Sequence, residues 1–156
     1  MIEVGISGFG DFEIAQVVFD VNGTLAADGV LLEGVAEKLA ALRERVAVHL
    51  LTADTHGGQA AIDEALGFAA DRIAPGDEPA QKARFVQALG AEGTVAIGNG
   101  ANDEAMLRVS AIGIAVLGRE GLCVETLNAA DVVVGDIHDA LDLLLKPRRL
   151  VATLRR

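Results

Sequence analysis

The sequence predicts an α/β fold: a single Rossmann-like domain with three layers, α/β/α, around a mainly parallel β-sheet. Short apolar runs alternate with amphipathic stretches along the chain, which is typical of strands joined by crossover helices. The composition is 51% hydrophobic but only 3% aromatic. The core is therefore expected to consist of Val, Leu, Ile and Ala, as in buried parallel sheets. A length of 156 residues favours one domain over 1–156.

The elements are predicted in order from their apolar patterns. Residues 2–6 and 13–19 flank the turn-rich sequence GFGDF, which predicts an N-terminal β-hairpin leading into the first core strand. Further strands are predicted over 46–51, 72–74, 94–97, 111–116 and 132–134. Helices are predicted over 35–45, 57–66, 78–89, 102–109, 124–129 and 137–145, with a last basic helix after Pro147.

Charge and composition exclude several kinds of partner. The formal net charge is −10 and no basic stripe is present, so nucleic acid is not an expected partner. The basic stretch KPRRLVATLRR is interpreted as a cationic helix end. Cys123 is the one cysteine, which argues against a disulfide framework and favours a reducing cytoplasm. No leader and no run of 18 apolar residues is recognisable, so no membrane partner is expected.

Polar residues with chemical potential follow the predicted strands or lie on the next helix. They are Asp20, Asn22, Gly23 and Thr24 in FDVNGT, Thr52 in HLLTADT, Lys82 in DEPAQKARF, and Asn99, Asn102 and Asp103 in GNGAND. Ligands of open α/β sheets bind at the carboxyl ends of the strands, so we expect these side chains to share one site. Gly23 permits a tight turn whose backbone N–H groups can point at an anion.

An aspartate, a hydroxyl, a lysine and a second carboxylate together fit phosphoryl transfer. Asp20 would attack phosphorus, Thr52 and Lys82 would hold the other phosphate oxygens, and Mg²⁺ would bridge the protein and the phosphate. Each residue alone has a simpler explanation. Asp20, Thr52 and Asp103 could cap turns or helices, and Lys82 could be a solvated helix charge. The combination favours a phosphate-and-magnesium site.

Two glycine-rich stretches raise dinucleotide binding as an alternative. GISGFG leads into another strand, which indicates a hairpin turn. IGNGAND follows a strand and opens a helix, as an anion- or metal-binding loop does. It lacks the third glycine and the later acidic residue that a ribose would need. A dinucleotide-binding module is therefore the least favoured interpretation.

The four segments resemble, in order, the motifs of the haloacid dehalogenase (HAD)-like hydrolases and cover nearly the whole chain. NGANDEAMLRVSAIGIAV and VETLNAADVVVGDIHDAL resemble the phosphorylation domain of P-type ATPases, and the chain is most similar to the soluble P-type-ATPase-like group. This resemblance implies a HAD core, phosphatase or ATPase-like hydrolysis through an aspartyl-phosphate, and Mg²⁺ as the cofactor.

Carried over by position, the resemblance implies three overlapping sets of site residues. The catalytic set is Asp20, Asn22, Thr52 and Lys82. The phosphate-binding set is Asn22, Gly23, Thr52, Ala53 and Lys82. The metal-binding set is Asp20, the Val21 backbone carbonyl, Asn22, Asn99 and Asp103. Among the histidines, His56 is the one expected to border this site.

Two amides occupy positions where the family commonly has acids. Asn22 cannot exchange a proton near neutral pH, and general acid–base assistance is worth about 10²–10⁴-fold. Slow hydrolysis that depends on the leaving group is therefore predicted. Asn99 offers Mg²⁺ an uncharged oxygen, so weak metal binding is expected unless phosphate is also bound. The rival hypothesis is a catalytically weak phosphate- or metal-binding domain that acts through a protein partner.

No cap domain is predicted over the site. Only 31 residues lie between Asp20 and Thr52 and 29 between Thr52 and Lys82, and the sheet with its crossover helices uses them. An open site gives little specificity by itself. Either a second subunit of a homo-oligomer covers it, or the substrate is large. The expected substrate is a phosphorylated small molecule, a phosphoprotein or a nucleotide.

Overall fold

Strands and helices alternate in the computed structural model, which describes residues 1–54 and 57–156. The strands are β1 (Ile2–Ile6), β2 (Gly10–Ile14), β3 (Gln16–Asp20), β4 (Ala26–Ala27), β5 (Val30–Leu31), β6 (Ala47–Thr52), β7 (Asp71–Arg72), β8 (Thr94–Gly98), β9 (Ile112–Val116) and β10 (Val132–Val134). The helices are α1 (Val35–Arg43), α2 (Gln59–Leu66), α3 (Glu78–Leu89), α4 (Glu104–Val109), α5 (Val124–Ala129), α6 (Ile137–Leu145) and α7 (Pro147–Leu154).

Six strands form one parallel sheet with β3 near its centre. Their order across the sheet is β10-β9-β8-β3-β6-β7. The register places Asp20 beside Leu51 of β6 and Phe19 beside Ile97 of β8. Because these strands run in the same direction, their carboxyl ends meet at one edge of the sheet. The polar segments predicted from the sequence are therefore brought to that edge.

Helices cover both faces of the sheet, as predicted for a three-layer α/β/α fold. Val17 and Phe19 of β3 face the larger core, which also contains apolar residues of α1, α2, α6 and α7. Val18 faces the smaller core with residues of α3 and α4. All three side chains are fully buried. Successive strand residues point to opposite faces, so a strand covered on both sides is apolar throughout.

The N-terminal hairpin is present, but the predicted strand over 13–19 is two strands. β2 pairs antiparallel with β1, and β3 belongs to the central sheet. The change occurs at Ala15, whose N–H donates to the Gly93 carbonyl (2.9 Å) and whose carbonyl accepts from Ala47 (2.9 Å). The chain thus exchanges one hydrogen-bonding partner for another without a break in its apolar pattern.

A second hairpin, β4–β5, was not predicted. Asp28 and Gly29 form its turn with φ of 51° and 76°. Positive φ at both turn residues is the requirement of a type I′ turn, for which Asp-Gly is a favoured sequence. The hairpin follows Asp20 closely, and its tip approaches the loop before α2: a Cβ added to Gly58 would lie 3.2 Å from the Gly29 carbonyl oxygen.

The basic C-terminal stretch forms α7, as predicted. Pro147 occupies the start of this helix, where its missing N–H costs no hydrogen bond. Leu150 and Leu154 are buried, and the Arg156 N–H donates to the Ser7 carbonyl at 2.8 Å, which ties the chain end to the N-terminal hairpin. None of the helices within residues 1–54 and 57–156 combines the length and the hydrophobicity needed to cross a bilayer.

Candidate active site

Four segments converge at the carboxyl edge of the sheet. Asp20 is the last residue of β3, Thr52 the last of β6, and Asn99 directly follows β8. Lys82 reaches the same place from α3. All four are at most 7% exposed as whole residues. The structure therefore brings these four residues together, as the sequence predicts.

Lys82 lies between two carboxylates. Its Nζ is 2.6 Å from Asp20 Oδ1 and 2.7 Å from Asp103 Oδ1. The side chains of Lys82 and Asp103 are 1% and 0% exposed. A solvated helix charge is thus excluded for Lys82. Buried charges are stable only when they are paired, so the loss of any one of these three groups would leave another charge buried without a partner.

Burial and neighbouring charge shift the pKa of both ends of the Asp20–Lys82 pair. Burial raises the pKa of Asp20 to about 7; the Asp103 charge adds to this effect and Lys82 opposes it. Burial alone would lower the pKa of Lys82, but Asp20 and Asp103 outweigh it and raise that pKa above its ordinary value. A cation beside Asp20 would favour its ionised form.

Asp103 uses both carboxylate oxygens within the protein. Oδ1 accepts from Lys82, and Oδ2 accepts from the backbone N–H groups of Asn99 (3.0 Å) and Gly100 (2.9 Å). A Cβ at residue 98 would lie 2.5 Å from Asp103 Cγ, so Gly98 is required for this arrangement. These contacts give Asp103 a role in holding Lys82 and the loop after β8; the direct metal ligation that the resemblance implies for it stays a prediction.

The turn after Asp20 satisfies its own backbone groups. The Val21 carbonyl accepts from the N–H groups of Thr24 (3.2 Å), Leu25 (2.9 Å) and Ala26 (3.1 Å). With three donors it has no lone pair to offer a metal ion, contrary to the ligand set implied by the resemblance. The Gly23 N–H donates to Ala26 at 2.7 Å, so it is likewise engaged and does not point at an anion.

Gly23 serves instead a close approach between two loops. Its φ is 85°, and a Cβ there would lie 2.6 Å from Asn99 Nδ2. The predicted tight turn is therefore confirmed, but its consequence is different. It allows the backbone after β3 to pack directly against the side chain that follows β8.

Thr24, which the sequence groups with Asp20 without indicating a role of its own, is a site residue. Its Oγ1 lies 3.3 Å from Asp20 Oδ2 and 3.1 Å from Asn99 Oδ1, and the residue is 1% exposed. One hydroxyl thus connects the carboxylate with the amide that follows β8. The signal was present, because Thr24 directly follows Gly23 in the segment FDVNGT.

Thr52 accepts two hydrogen bonds. Asn22 Nδ2 donates to its Oγ1 at 3.2 Å, and the backbone N–H of Asp54 donates at 3.0 Å. The hydroxyl proton of Thr52 is consequently available for donation to another group. Ala53 lies between these residues in the same loop and is partly exposed.

Other predicted candidates lie outside this cluster. Asn102 donates to Glu78 Oε2 at 2.8 Å, so its amide is used between α3 and the loop. His49, which was not a predicted site residue, pairs with Gln16 of the neighbouring strand at 2.8 Å. His56, which was expected to border the site, lies outside the described residues.

The donors near Asp20 are oxygen atoms of carboxylate, amide and hydroxyl groups. Among residues 1–54 and 57–156, no three His, Cys, Asp or Glu side chains are grouped as a metal cluster. Magnesium commonly binds through one or two carboxylates and completes its shell with water and substrate phosphate. The donor set around Asp20 and Asn99 is compatible with that mode of binding.

A cavity of about 510 Å³ adjoins the site. Thr24 contributes to its wall, together with Glu33, Arg119 and His138. A larger cavity of about 670 Å³ lies near Gln16, at the other end of β3, and is separate from the cluster described here. Thr24 therefore connects the smaller cavity with the cluster around Asp20.

No protein-family model matches the sequence. The uncharacterized protein MJ0073 of Methanocaldococcus jannaschii is 45% identical over 89 residues, which cover 54% of this chain and 96% of that protein.

Solved structures with the same fold are HAD superfamily hydrolases. A 3-deoxy-D-manno-octulosonate 8-phosphate phosphatase of Moraxella catarrhalis, in complex with magnesium, phosphate and the sugar acid, has a TM-score of 0.64 at 20% identity and covers 92% of this chain and 94% of its own. The cobalt-bound form of the deoxy-D-mannose-octulosonate 8-phosphate phosphatase of Haemophilus influenzae has a TM-score of 0.65 at 17% identity. The match covers 92% of this chain and 94% of that one. The catalytic domain of the CPx-ATPase CopB-B has a TM-score of 0.60 at 23% identity. The match covers 74% of this chain and 46% of that one.

Proposed function

Because the chain belongs to the same family as the uncharacterized protein MJ0073 and has the fold of HAD superfamily hydrolases, we propose that it is a Mg²⁺-dependent phosphohydrolase. In this proposal Asp20 forms an aspartyl-phosphate. The observation that carries it is the buried ion triad of Asp20, Lys82 and Asp103, placed at the carboxyl edge of the sheet beside Thr52.

Asp20 is the proposed nucleophile. One of its oxygens forms a bond to phosphorus while the bond from phosphorus to the leaving oxygen breaks and leaves its electron pair there. Water then attacks the phosphorus of the aspartyl-phosphate, which releases inorganic phosphate and restores the carboxylate. Burial among fixed dipoles and charges supports this role, since such groups need no reorganisation during the reaction.

Lys82 and Thr52 are proposed to hold the transferring phosphoryl group. Lys82 is already adjacent to Asp20, and its charge is kept by two carboxylates. Thr52 accepts from Asn22 and from the Asp54 N–H, so its own proton is directed elsewhere and can be donated to a phosphate oxygen. The Ala53 backbone, in the same loop, is a further candidate for phosphate contact.

Asp20, Asn22 and Asn99 are the residues proposed to hold the metal ion. They supply one carboxylate and two amide groups, which are hard oxygen ligands of the kind that Mg²⁺ prefers. When bound, the ion would offset negative charge on the phosphoryl group. Asp103 would act on this site indirectly, through Lys82 and through the backbone of Asn99.

Slow turnover is part of the proposal. Asn22 lies beside Thr52 but cannot protonate a leaving oxygen, so esters with poor leaving groups would react slowly. Small phosphorylated molecules are the proposed substrates, because the 510 Å³ cavity beside Thr24 can accept the rest of such a molecule. The two amides also favour one rival, a phosphate- or metal-binding domain that acts through a protein partner.

One experiment distinguishes the phosphohydrolase from the rival binding domain. The protein is incubated with para-nitrophenyl phosphate or radiolabelled acetyl phosphate, with and without Mg²⁺, beside Asp20→Asn. The exposed Asp11→Asn serves as the control for an equal change of charge. Turnover or an acid-stable phosphoenzyme in the parent and in Asp11→Asn, but not in Asp20→Asn, supports the enzyme. Tight binding of beryllium fluoride without turnover supports the rival.

A further inference from the structure

The segment over residues 118–126, here called the clamp segment, follows β9 and contacts both loops of the proposed site. Gly118 packs against the loop after β3, since a Cβ there would lie 2.6 Å from the Gly23 carbonyl oxygen. Thr126, which is fully buried, donates from Oγ1 to the Gly100 carbonyl at 2.6 Å. The clamp segment therefore fixes the two loops relative to each other.

The clamp segment also holds Asn99 at both its backbone and its side chain. The Cys123 N–H donates to the Asn99 carbonyl at 2.9 Å, and Asn99 Nδ2 donates to the Gly121 carbonyl at 3.3 Å. At its other end, Asn99 Oδ1 accepts from Thr24. A carbonyl oxygen can only accept, so Gly121 selects the NH₂ end of the amide and turns the oxygen towards Thr24 and Asp20.

A carboxylate at position 99 would be poorly accommodated. One of its oxygens would face the Gly121 carbonyl without a proton between them, and the other would add negative charge beside Asp20. Position 22 differs in this respect, because the Thr52 hydroxyl that accepts from Asn22 can instead donate to an acid. The hydrogen-bond partners at position 99 thus require an amide, whereas those at position 22 would also accept a carboxyl group.

Resting on the proposed function, we infer that the clamp segment fixes Asn99 as an uncharged metal ligand, and that the site consequently takes up a divalent cation together with phosphate rather than before it. Asp20 is then the one anionic protein ligand proposed to contact the ion. Phosphate oxygens supply the charge that Asn99 lacks. Binding of the two ligands is therefore coupled, and each must raise the affinity for the other by the same factor.

The test uses Mn²⁺ as a paramagnetic probe, titrated with and without saturating inorganic phosphate. In the parent protein, phosphate is expected to raise Mn²⁺ affinity by about tenfold or more, and Mn²⁺ to raise phosphate affinity equally. Asp20→Asn corrects for Mn²⁺–phosphate complexes in solution. Asn99→Asp is expected to bind Mn²⁺ without phosphate about tenfold more tightly than the parent, with the coupling reduced.

Two further comparisons address the clamp segment itself. Metal-free Asn99→Asp should melt lower than the parent by at least about 3 °C, whereas Asn22→Asp should not. Gly121→Ala should reduce the coupling, because φ is 88° there and an added Cβ has open space, so backbone strain acts alone. Gly67→Ala, with φ of 74° and equally open space at the end of α2, should keep the coupling.

The outcomes distinguish this inference from the function on which it rests. Equal Mn²⁺ affinity with and without phosphate in a parent that still forms a phosphoenzyme would overturn the inference alone. So would retained coupling in Gly121→Ala. If Asp20→Asn binds Mn²⁺ and phosphate as the parent does, the proposed site itself is wrong. The parent titration needs no variant, so the inference is testable even if Asn99→Asp does not fold.

Discussion

Asp20 Oδ1 and Lys82 Nζ are 2.6 Å apart in surroundings where the two side chains are 8% and 1% exposed. This ion pair joins the end of β3 to the interior face of α3, two elements that are 62 positions apart at these residues. Because Lys82 also pairs with Asp103, the same ammonium group donates hydrogen bonds to both buried carboxylates. Stability and proposed chemistry therefore depend on one side chain.

Replacement of Lys82 by Met should be costly. It leaves Asp20 and Asp103 buried without a counter-charge, and breaking a buried pair in this way typically costs about 3–5 kcal/mol. The free energy of unfolding, measured in urea, should fall by that order. Lys38→Met removes a pair with Asp142 at 2.8 Å that is partly exposed, and should cost less than about 1 kcal/mol. Equal losses would contradict the buried-triad interpretation.

Thr24→Val should separate a site role from a packing role. The change keeps the shape but removes the hydroxyl shared by Asp20 and Asn99. We expect a stability loss of about 1 kcal/mol and a clear loss of phosphatase turnover. Thr94→Val is the matched control, since Thr94 is buried and donates to the Gly90 carbonyl at 2.7 Å, far from Asp20 in the strand direction. Thr94→Val should lose similar stability but keep its turnover. If turnover is lost in both variants, the assignment of Thr24 to the site is wrong.

The carboxyl-edge position of the site could be predicted because it depends on strand ends, which the apolar runs mark. The contacts that each site residue makes could not be predicted. Asp103 and the Val21 carbonyl were expected to ligate a metal. Instead, Asp103 pairs with Lys82 of α3, a tertiary contact that a sequence does not reveal, and the Val21 carbonyl accepts from the N–H groups of its own turn. The hairpin at Asp28 had a local Asp-Gly signal that was overlooked.

The contribution of residues 118–126 had no comparable signal in the sequence. Gly121 lies 22 positions from the Asn99 side chain that it accepts from, and no strand ends within the segment. Its importance depends on a backbone carbonyl, and a glycine in the sequence does not show where that carbonyl points. Only the fold, which carries the chain from β9 back across the loop after β8, identifies it.

Asp142 should make the stability depend on pH in the acid range. Hydrogen bonds from Lys38 and Lys146 lower the pKa of Asp142 from 3.8 to about 2. A lowered pKa means that the ionised form favours the folded state, so this stabilisation is complete above about pH 3.8 and is lost as the pH falls through about 2. Asp142→Asn should therefore melt below the parent at pH 7, and the difference should shrink towards pH 2.

The control for this prediction is the exposed Asp11→Asn in the N-terminal hairpin. It should melt close to the parent at both pH values. Asp142 joins α1 to the start of α7 through Lys38, Lys146 and Arg149, so the effect should appear in the global transition. A difference between Asp142→Asn and the parent that stays constant from pH 7 to pH 2 would contradict the assigned ion pairs.

Asn22→Asp should convert slow, leaving-group-sensitive hydrolysis into faster and less selective hydrolysis. The change supplies a group that can exchange a proton, and the Thr52 hydroxyl, now an acceptor from Asn22, can donate to it while it still accepts from the Asp54 N–H. Alkyl phosphates should gain about 10²-fold or more in kcat/KM, and aryl phosphates much less, because aryl oxide leaves without protonation. The measurement is kcat/KM against leaving-group pKa, with the exposed Asn128→Asp on α5 as control. The dependence of kcat/KM on leaving-group pKa should become less steep only in Asn22→Asp. An equal gain for all esters would instead assign Asn22 to phosphate binding. No gain would favour the rival, a phosphate- or metal-binding domain without catalysis.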